Sequence, residues 1–261
     1  IFKKNILVWI KFYIERDSYE KVKLSSGKNL KFFVPNYLTN LLVKEFYTKE
    51  PETINWINTF KNSKDTIFWD IGSNIGIYSI YASITHQNIN VFSFEPSTKN
   101  LNILSNNISI NNLSEKIKII QLPLTEKKNQ ILKMSEKSFE EGSASNSFGV
   151  DYSFGGKKTV FNNQYYLFGT SIDHLVEEGI LQIPDYIKID VDGIEHLILR
   201  GSRKTLQNKK IKSLLVEVQE DFSEQFENIK DILNENNFIL SSKNQSERFK
   251  KHPQFKNSYN Y

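Results

Sequence analysis

The hydrophobic residues of this 261-residue chain change period several times. Short, wholly apolar runs alternate with stretches in which apolar positions recur every three or four residues. That is the pattern of strands buried on both faces and of helices that cover them. Runs at 66–70, 90–95, 116–122, 186–190 and 213–218 read as strands, and 75–85, 98–110 and 221–236 as helices. The last helix carries Phe222, Phe226, Ile229, Ile232 and Leu233 on one stripe. A further strand is expected at 238–240, with 255–261 as its antiparallel partner. The alternation predicts an α/β fold: a Rossmann-like, seven-stranded, mostly parallel sheet with helices on both faces.

Residues 1–62 read as an N-terminal extension to a domain at 63–261. Apolar pairs at 22–24 and 30–34 flank Ser26-Gly27-Lys28 and predict a hairpin. Two helices follow at 39–47 and 52–60, with Pro51 suited to a first helical position. Residues 5–14 are apolar except for Asn5 and Lys11, and the run ends at Glu15. At ten residues the run is short of the ~20 needed to cross a bilayer. A helix or strand packed on the domain is the expectation, with membrane-surface contact as the lesser reading. Between the third and fourth strands lies an uneven stretch, 125–185, rich in Ser, Gly and aromatics. Its first part, about 125–170, reads as an insertion loop, a lid or a sugar-binding loop, in which Asn146 is a candidate substrate contact.

The richest chemistry lies at 66–76, T-I-F-W-D-I-G-S-N-I-G. A strand ends in an acid, a tight turn follows with Gly72 and Gly76, and a helix begins. Glycine allows the backbone to turn and to approach a ligand where a Cβ would clash. A dinucleotide site calls for G-x-G-x-x-G, which sets a pyrophosphate on the helix N-terminus. Here Asp70 sits within the turn region and the spacing is D-x-G-x-x-x-G. An acid there repels an anion and attracts a cationic amino group, which points to S-adenosylmethionine (SAM), a zwitterion with a sulfonium. A second strand ends in Glu95-Pro96. The acid ending that strand is placed to accept hydrogen bonds from ribose hydroxyls. The cofactor contacts expected are therefore Asp70, Gly72, Ser73, Asn74, Gly76, Glu95 and Pro96, with Leu122 near the adenine.

At 186–201, Y-I-K-I-D-V-D-G-I-E-H-L-I-L-R-G, a strand runs into Asp190, turns through Asp192-Gly193 and becomes a helix ending at Gly201, a good C-cap residue. The fourth strand of a doubly wound sheet lies beside the first, so its C-terminal end faces the ligand crevice. Asp190 and Glu195 are the catalytic candidates, and Asp192 and Glu217 candidate substrate contacts. Asp192 also suits an N-cap, Glu195 the dipole of a first helical turn, and His196 an exposed helix position.

Composition narrows the classes. Hydrophobic residues make up 39% and aromatics 13%, enough for an ordinary core. A net charge of +4 is mild and dispersed, unlike a nucleic-acid-binding surface. The absence of cysteine excludes disulfides, thiolate nucleophiles and Cys-ligated zinc. No transmembrane segment is read, and a cytoplasmic location is expected. The chain begins at Ile1, as a fragment or trimmed chain would.

Four segments together resemble the FkbM family of SAM-dependent methyltransferases. Lys49-Glu50-Pro51-Glu52-Thr53 resembles the acidic-proline segment ahead of the domain. Residues 68–78 resemble D-x-G-A-N-x-G-x-Y, with Ser73 for the usual Ala. Phe94-Glu95-Pro96 with Leu104, Asn107, Ile108 and Asn111 resembles E-P…L…N-I…N. Ser171-Ile172-Asp173 with 187–201 resembles T-L-D…I-K-I-D-V-E-G-x-E…L-x-G, with Asp192 for the usual Glu. The resemblance covers about 45–240 and implies a class I methyltransferase that uses SAM. Its acceptor would be a hydroxyl of a sugar or natural product, in surface polysaccharide pathways among others.

Methyl transfer to a hydroxyl requires in-line positioning and a group that accepts the departing proton. Asp190 is the first choice for that group and Glu195 the second. Two other classes compete. Asp190-Val191-Asp192 is a D-x-D after an apolar strand, as in glycosyltransferases that bind Mn²⁺ or Mg²⁺, but that reading leaves Asp70, the glycine turn and Glu95 idle. A protein that binds SAM without catalysis is the other. A nicotinamide dehydrogenase is disfavoured by the glycine spacing and the acid. The acceptor is expected to be a small molecule or glycan; no metal ligand is assigned, although Asp190, Asp192 and Glu217 could supply oxygens to a divalent ion.

Overall fold

The computed structural model describes residues 2–16, 18–61, 63–253 and 255–261. Its first elements are helix α1 (Phe2–Arg16), the hairpin β1 (Tyr19–Lys23) and β2 (Asn29–Phe33), and helices α2 (Tyr37–Lys44) and α3 (Pro51–Asn58). The crossover units follow: β3 (Thr66–Ile71), α4 (Ile77–Thr85), β4 (Ile89–Phe94), α5 (Thr98–Ile110) and β5 (Ile117–Ile120). Next come β6 (Gln130–Glu136), β7 (Ser147–Phe148), β8 (Tyr152–Ser153), β9 (Lys157–Lys158), β10 (Asn163–Gly169) and helix α6 (Ile172–Glu177). The chain returns through β11 (Tyr186–Ile189), α7 (Glu195–Arg200), α8 (Arg203–Leu206), β12 (Ser213–Gln219), α9 (Ser223–Glu235), α10 (Glu247–Lys251) and β13 (Ser258–Asn260).

The central sheet has the order β13-β12-β11-β3-β4-β5. Its strands are parallel except β13, which pairs antiparallel with β12. The order reverses between β3 and β11, and a doubly wound sheet opens its ligand crevice at such a reversal. Six strands form this sheet among the described residues, one fewer than the sequence predicts. The missing one is 238–240. Asn237 takes a left-handed conformation after α9, and Phe238 N–H turns back to the carbonyl of Leu233. Ile239, 90% exposed, faces solvent. The antiparallel edge partner predicted for that segment pairs with β12 instead.

Strand alternation splits the core in two. Phe68, Val91 and Tyr186 face α3, α4 and α5. Ile67, Trp69, Ile71, Ile187, Ile189, Val216 and Val218 face the other way, toward Ile172, Ile198, Leu199, Ile229 and Ile232. The extension shares the first of these cores: Leu30, Phe32, Val43, Phe46, Ile54, Ile57 and Phe60 are buried in it. Asn107 Oδ1 accepts from Phe33 N–H at 2.7 Å, and Asn111 bonds both the N–H and the C=O of Lys31, tying the hairpin to α5.

Two expectations fail outside the sheet. The stretch at 125–170 is not one long loop, because β6, β7 and β10 pair into a small antiparallel sheet in the order β10-β6-β7. β10 alternates half-buried and exposed residues along its length, so its inner side chains (Tyr165, Leu167) pack while its outer ones (Tyr166, Phe168) stay wet. The apolar segment at 5–14 is helical but is not packed on the domain: every described side chain from 5 to 13 is exposed.

Gly201 caps the C-terminus of α7, as the sequence predicts, but with φ −79° and not in the left-handed conformation. It is glycine because a Cβ would lie 2.4 Å from the Thr125 carbonyl oxygen. Gly201→Ala is expected to cost about 1–3 kcal/mol through overpacking, measurable as a lower urea midpoint with an unchanged slope.

Candidate active site

At the crevice a cleft of about 380 Å³ opens between the C-terminal ends of β3, β4, β11 and β12 and is roofed by residues 142–148. One end is built from the first crossover turn. Gly72 N–H and Ser73 N–H both donate to the Phe94 carbonyl at 3.0 Å. Gly72 has φ +84°, and a Cβ there would lie 1.9 Å from the Asp190 carbonyl oxygen. Asn74, also left-handed, donates its N–H to Glu95 Oε2 at 2.8 Å, and Ser97 N–H reaches Glu95 Oε1 at 2.9 Å. Two backbone donors thus aim the Glu95 carboxylate into the cleft. Burial nevertheless pushes its pKa up to about 8, against the lowering effect of those two bonds.

The roof is pinned on several sides. Asn74 Nδ2 donates to the Gly142 carbonyl, Gly142 N–H to Asn100 Oδ1, and Ser145 N–H to Asp192 Oδ2 at 2.7 Å. From α2, the Asn36 amide donates to the Glu141 carbonyl and carboxylate. Asp192 is left-handed at φ 63°, and Ile194, not Asp192, sits at the N-cap of α7. Enclosure first, then the charge of Asp190, raise the Asp192 pKa to about 6.

Beside the turn, on β11 and β12, lies a cluster of ionisable groups. Lys188 is buried mid-strand with Nζ 2.6 Å from Asp190 Oδ2 and 5.0 Å from the Tyr78 ring centroid. Asp70 is its register neighbour on β3. Lys49 pairs with Glu50 at 2.7 Å, and the Tyr78 hydroxyl bonds Glu50. Glu217 accepts from Ser258 Oγ at 3.0 Å and is hydrogen-bonded to Asp190. Burial works against ionisation of Asp190, but the charges of Lys188 and Lys49 and hydrogen bonds from Lys188 and Glu217 outweigh it and hold its pKa below the ordinary value. Glu217 is driven the other way, well above it, by burial and then by Asp190. Within the pair, Asp190 is thus the carboxyl whose ionised form is favoured and Glu217 the one whose protonated form is favoured.

Of the residues singled out in the sequence, Gly72, Ser73, Asn74, Glu95, Pro96, Leu122, Asn146, Asp190, Asp192 and Glu217 line this cleft. Three do not. β3 continues through Ile71, so Asp70 lies within the strand, facing α4. It is fully buried, and Oδ2 accepts from Ser79 Oγ at 2.6 Å. Gly76 meets Leu104 of α5, where a Cβ would come within 2.5 Å. Glu195, the second candidate for the catalytic carboxylate, does not reach the cleft. It is buried behind the 190–194 turn, accepting from Val191 N–H, Gly193 N–H and Gln225 Nε2. His196 is likewise buried rather than exposed. Its ring lies edge-on to Phe222, and burial lowers its pKa to about 4.

Sequence reasoning missed Lys188, Lys49, Glu50 and Tyr78, together with the wall formed by Arg248, Phe249, His252 and Phe255. Lys188 carried a usable signal, a lone cation inside an all-apolar strand. The D-x-D metal reading meets that same cation: its ammonium stands against Asp190 where a metal ion would bind. Among the described residues no group of three His, Asp or Glu side chains is arranged to hold a metal.

The methyltransferase FkbM domain matches residues 70–240. The chain belongs to the FkbM methyltransferase family. It is 29% identical over 155 residues to a hexuronic acid methyltransferase, AglP, of Haloferax volcanii, covering 59% of this chain and 56% of that protein. It is 25% identical over 191 residues to the methyltransferase sdnD of Sordaria araneosa, covering 63% of this chain and 71% of that one. The chain thus spans little more than half the length of the first. A crystal structure of a methyltransferase FkbM from Methylobacillus flagellatus KT aligns at TM-score 0.45 and 18% identity, over 67% of this chain and 39% of that one. The FkbM match takes in the glycine turn, Glu95, the roof and β11. Lys49, Glu50 and the wall at 248–255 lie outside it.

The cleft suits SAM on its own terms. The Oδ1 atoms of Asn74 and Asn146 and Oγ of Ser143 are buried at the turn and roof with no partner among the described residues. The Glu95 carboxyl, fixed by two backbone N–H groups, faces the cleft where a diol could reach it. Leu122, Pro123 and Leu124 offer an apolar surface of the kind a purine covers.

Proposed function

We propose that this FkbM-family protein is a SAM-dependent O-methyltransferase whose acceptor is a sugar hydroxyl in a glycan or glycan precursor. The observation that carries the reading is one cleft holding both parts of such a site, the Gly72–Glu95 cradle and the Asp190–Lys188–Glu217 cluster. The methionine part would rest on residues 72–74, the ribose on Glu95, and the adenine against Pro96 and Leu122. SAM supplies a methyl group already activated on a sulfonium. Asp190, held ionised, accepts the proton of the acceptor hydroxyl. Lys188 fixes the Asp190 carboxylate, and the Glu217 proton restrains it further. Leu38, Leu41, Phe249 and Phe255 give the acceptor end an apolar face against which the C–H face of a sugar ring can pack. The activity of the Haloferax relative on a hexuronic acid supports a sugar acceptor.

Calorimetric titration with S-adenosylhomocysteine tests the cofactor half. Micromolar binding is expected, and Glu95→Ala should abolish it. Affinity should also depend on pH. Below about 8 the Glu95 carboxyl of the free protein holds a proton, which ribose hydroxyls displace when they donate to the carboxylate. Affinity therefore rises with pH up to about 8 and then levels, and binding at pH 7 releases a proton, seen by repeating the titration in buffers of different ionisation enthalpy. No binding by folded wild type overturns the reading. An acceptor screen over mono- and oligosaccharides, read by mass spectrometry for a methyl ether, tests the other half.

A further inference from the structure

Helix α1 is the feature that the proposed reaction leaves unused. Ile6, Leu7, Val8, Trp9, Ile10, Phe12 and Tyr13 are each between 48 and 67% exposed. At 100° per residue these side chains surround the helix except along the lines through Lys11 and Asn5. Trp9 stacks on Tyr13 at 6.1 Å and meets Phe12 edge-on at 6.5 Å, so among the described residues these aromatics cluster with one another and not with the domain. A contiguous apolar surface of this kind marks a contact site.

Two features identify what covers it. The helix sequence carries Lys3, Lys4, Lys11 and Arg16 against a single acid, Glu15. Basic residues combined with Trp and aliphatic side chains suit an anionic bilayer surface. A helix that pairs with a second copy needs only a narrow apolar seam and keeps its other faces polar, and α1 is apolar well beyond a seam. Lys11 interrupts its apolar residues with a charge that a hydrocarbon core penalises. No helix among the described residues is long and apolar enough to cross a membrane.

We infer that α1 is an interfacial membrane anchor that lays its apolar side chains into the headgroup region of an anionic phospholipid bilayer. The inference is independent of the methyltransferase reading.

The test is flotation of the full chain with vesicles of phosphatidylglycerol and phosphatidylcholine, alongside phosphatidylcholine alone. Binding to the anionic vesicles is expected, at least tenfold weaker to neutral ones and weakened by 0.5 M salt. Trp9 is the only one of the three tryptophans that is more than half exposed, so its emission should shift to the blue on binding, and Trp9→Phe should lose the shift. The double variant Leu7→Glu, Ile10→Glu should lose at least tenfold in vesicle affinity with an unchanged thermal melt, because α1 adds nothing to the core. Absence of binding by wild type, or equal binding by the double variant, overturns the inference. Equal binding to neutral vesicles overturns its anionic part. Concentration-dependent dimerisation without lipid that the double variant abolishes would show that a second copy covers the helix instead.

Discussion

Asp190→Asn is expected to lower methyl-transfer turnover by roughly 10²- to 10⁴-fold, the usual worth of a positioned proton acceptor, while S-adenosylhomocysteine affinity stays within about threefold. The asparagine keeps the shape of the side chain and removes the charge. Asp190 belongs to the cluster proposed to meet the acceptor, and the contacts proposed for the cofactor come from residues 72–74 and Glu95 instead. The fold should survive. Lys188 loses its partner at 2.6 Å but keeps Asp70, its register neighbour on β3, as a counter-ion. Lys188→Met is the contrasting case, because it removes the ammonium that acts on both Asp70 and Asp190 and leaves Asp190 only the weaker charge of Lys49. Breaking a buried pair in this way costs about 3–5 kcal/mol, so that variant should be unstable before it is inactive. Steady-state kinetics, calorimetry and a urea titration on the two variants separate the roles. Turnover of Asp190→Asn within threefold of wild type would remove Asp190 from the chemistry.

Gly72→Ala is expected to weaken S-adenosylhomocysteine binding by roughly 100-fold or more. An added Cβ would lie 1.9 Å from the Asp190 carbonyl oxygen and 2.9 Å from its carbon, both backbone atoms with no rotamer to give way. The residue also holds φ +84°, which strains any side chain. Relief requires β3 and β11 to part by more than 1 Å at the floor of the cleft, and a 1 Å misplacement is worth about 10²-fold in a preorganised site. The same shift displaces Asp190, so turnover should fall together with affinity, unlike the split expected for Asp190→Asn. Gly142 shares the φ of +84° but is milder sterically, because the atoms nearest a Cβ there are side-chain atoms of Thr39 and Leu42 at 3.0 and 3.2 Å, with the Thr39 nitrogen at an ordinary 3.6 Å. Calorimetry reads both variants, and Gly72→Ala binding within threefold of wild type would refute the close approach.

Most of the architecture was legible because it depends on local pattern. The strands at β3, β4, β11 and β12 announce themselves as apolar runs too short for helices, and α5 was readable to its ends. The glycine turn, Glu95 and Asp190 were legible because their residue types follow from position: a glycine where the chain must turn, acids where buried strands end. The failures have a shared cause. Reading Asp70 as part of the turn and Glu195 as a catalytic acid required knowing which way a side chain points. One more residue of strand turns Asp70 to the α4 face, and the 190–194 turn folds back over Glu195 so that its carboxylate is taken up by Val191, Gly193 and Gln225.

By itself the sequence determined the order of strands and helices, the crossover unit with its glycine turn, and the presence of carboxylates at strand ends, because period and turn chemistry act over a few residues. Only the tertiary structure decided which ionisable groups meet. Lys49 and Glu50 lie about 140 residues from Lys188 and Asp190, and Arg248 reaches Glu45 across the mouth of the cleft. Such contacts are set by how the layers pack. The same packing left α1 outside the core, since the buried faces of the sheet were already covered by α3, α4 and α5 on one side and by α6, α7 and α9 on the other.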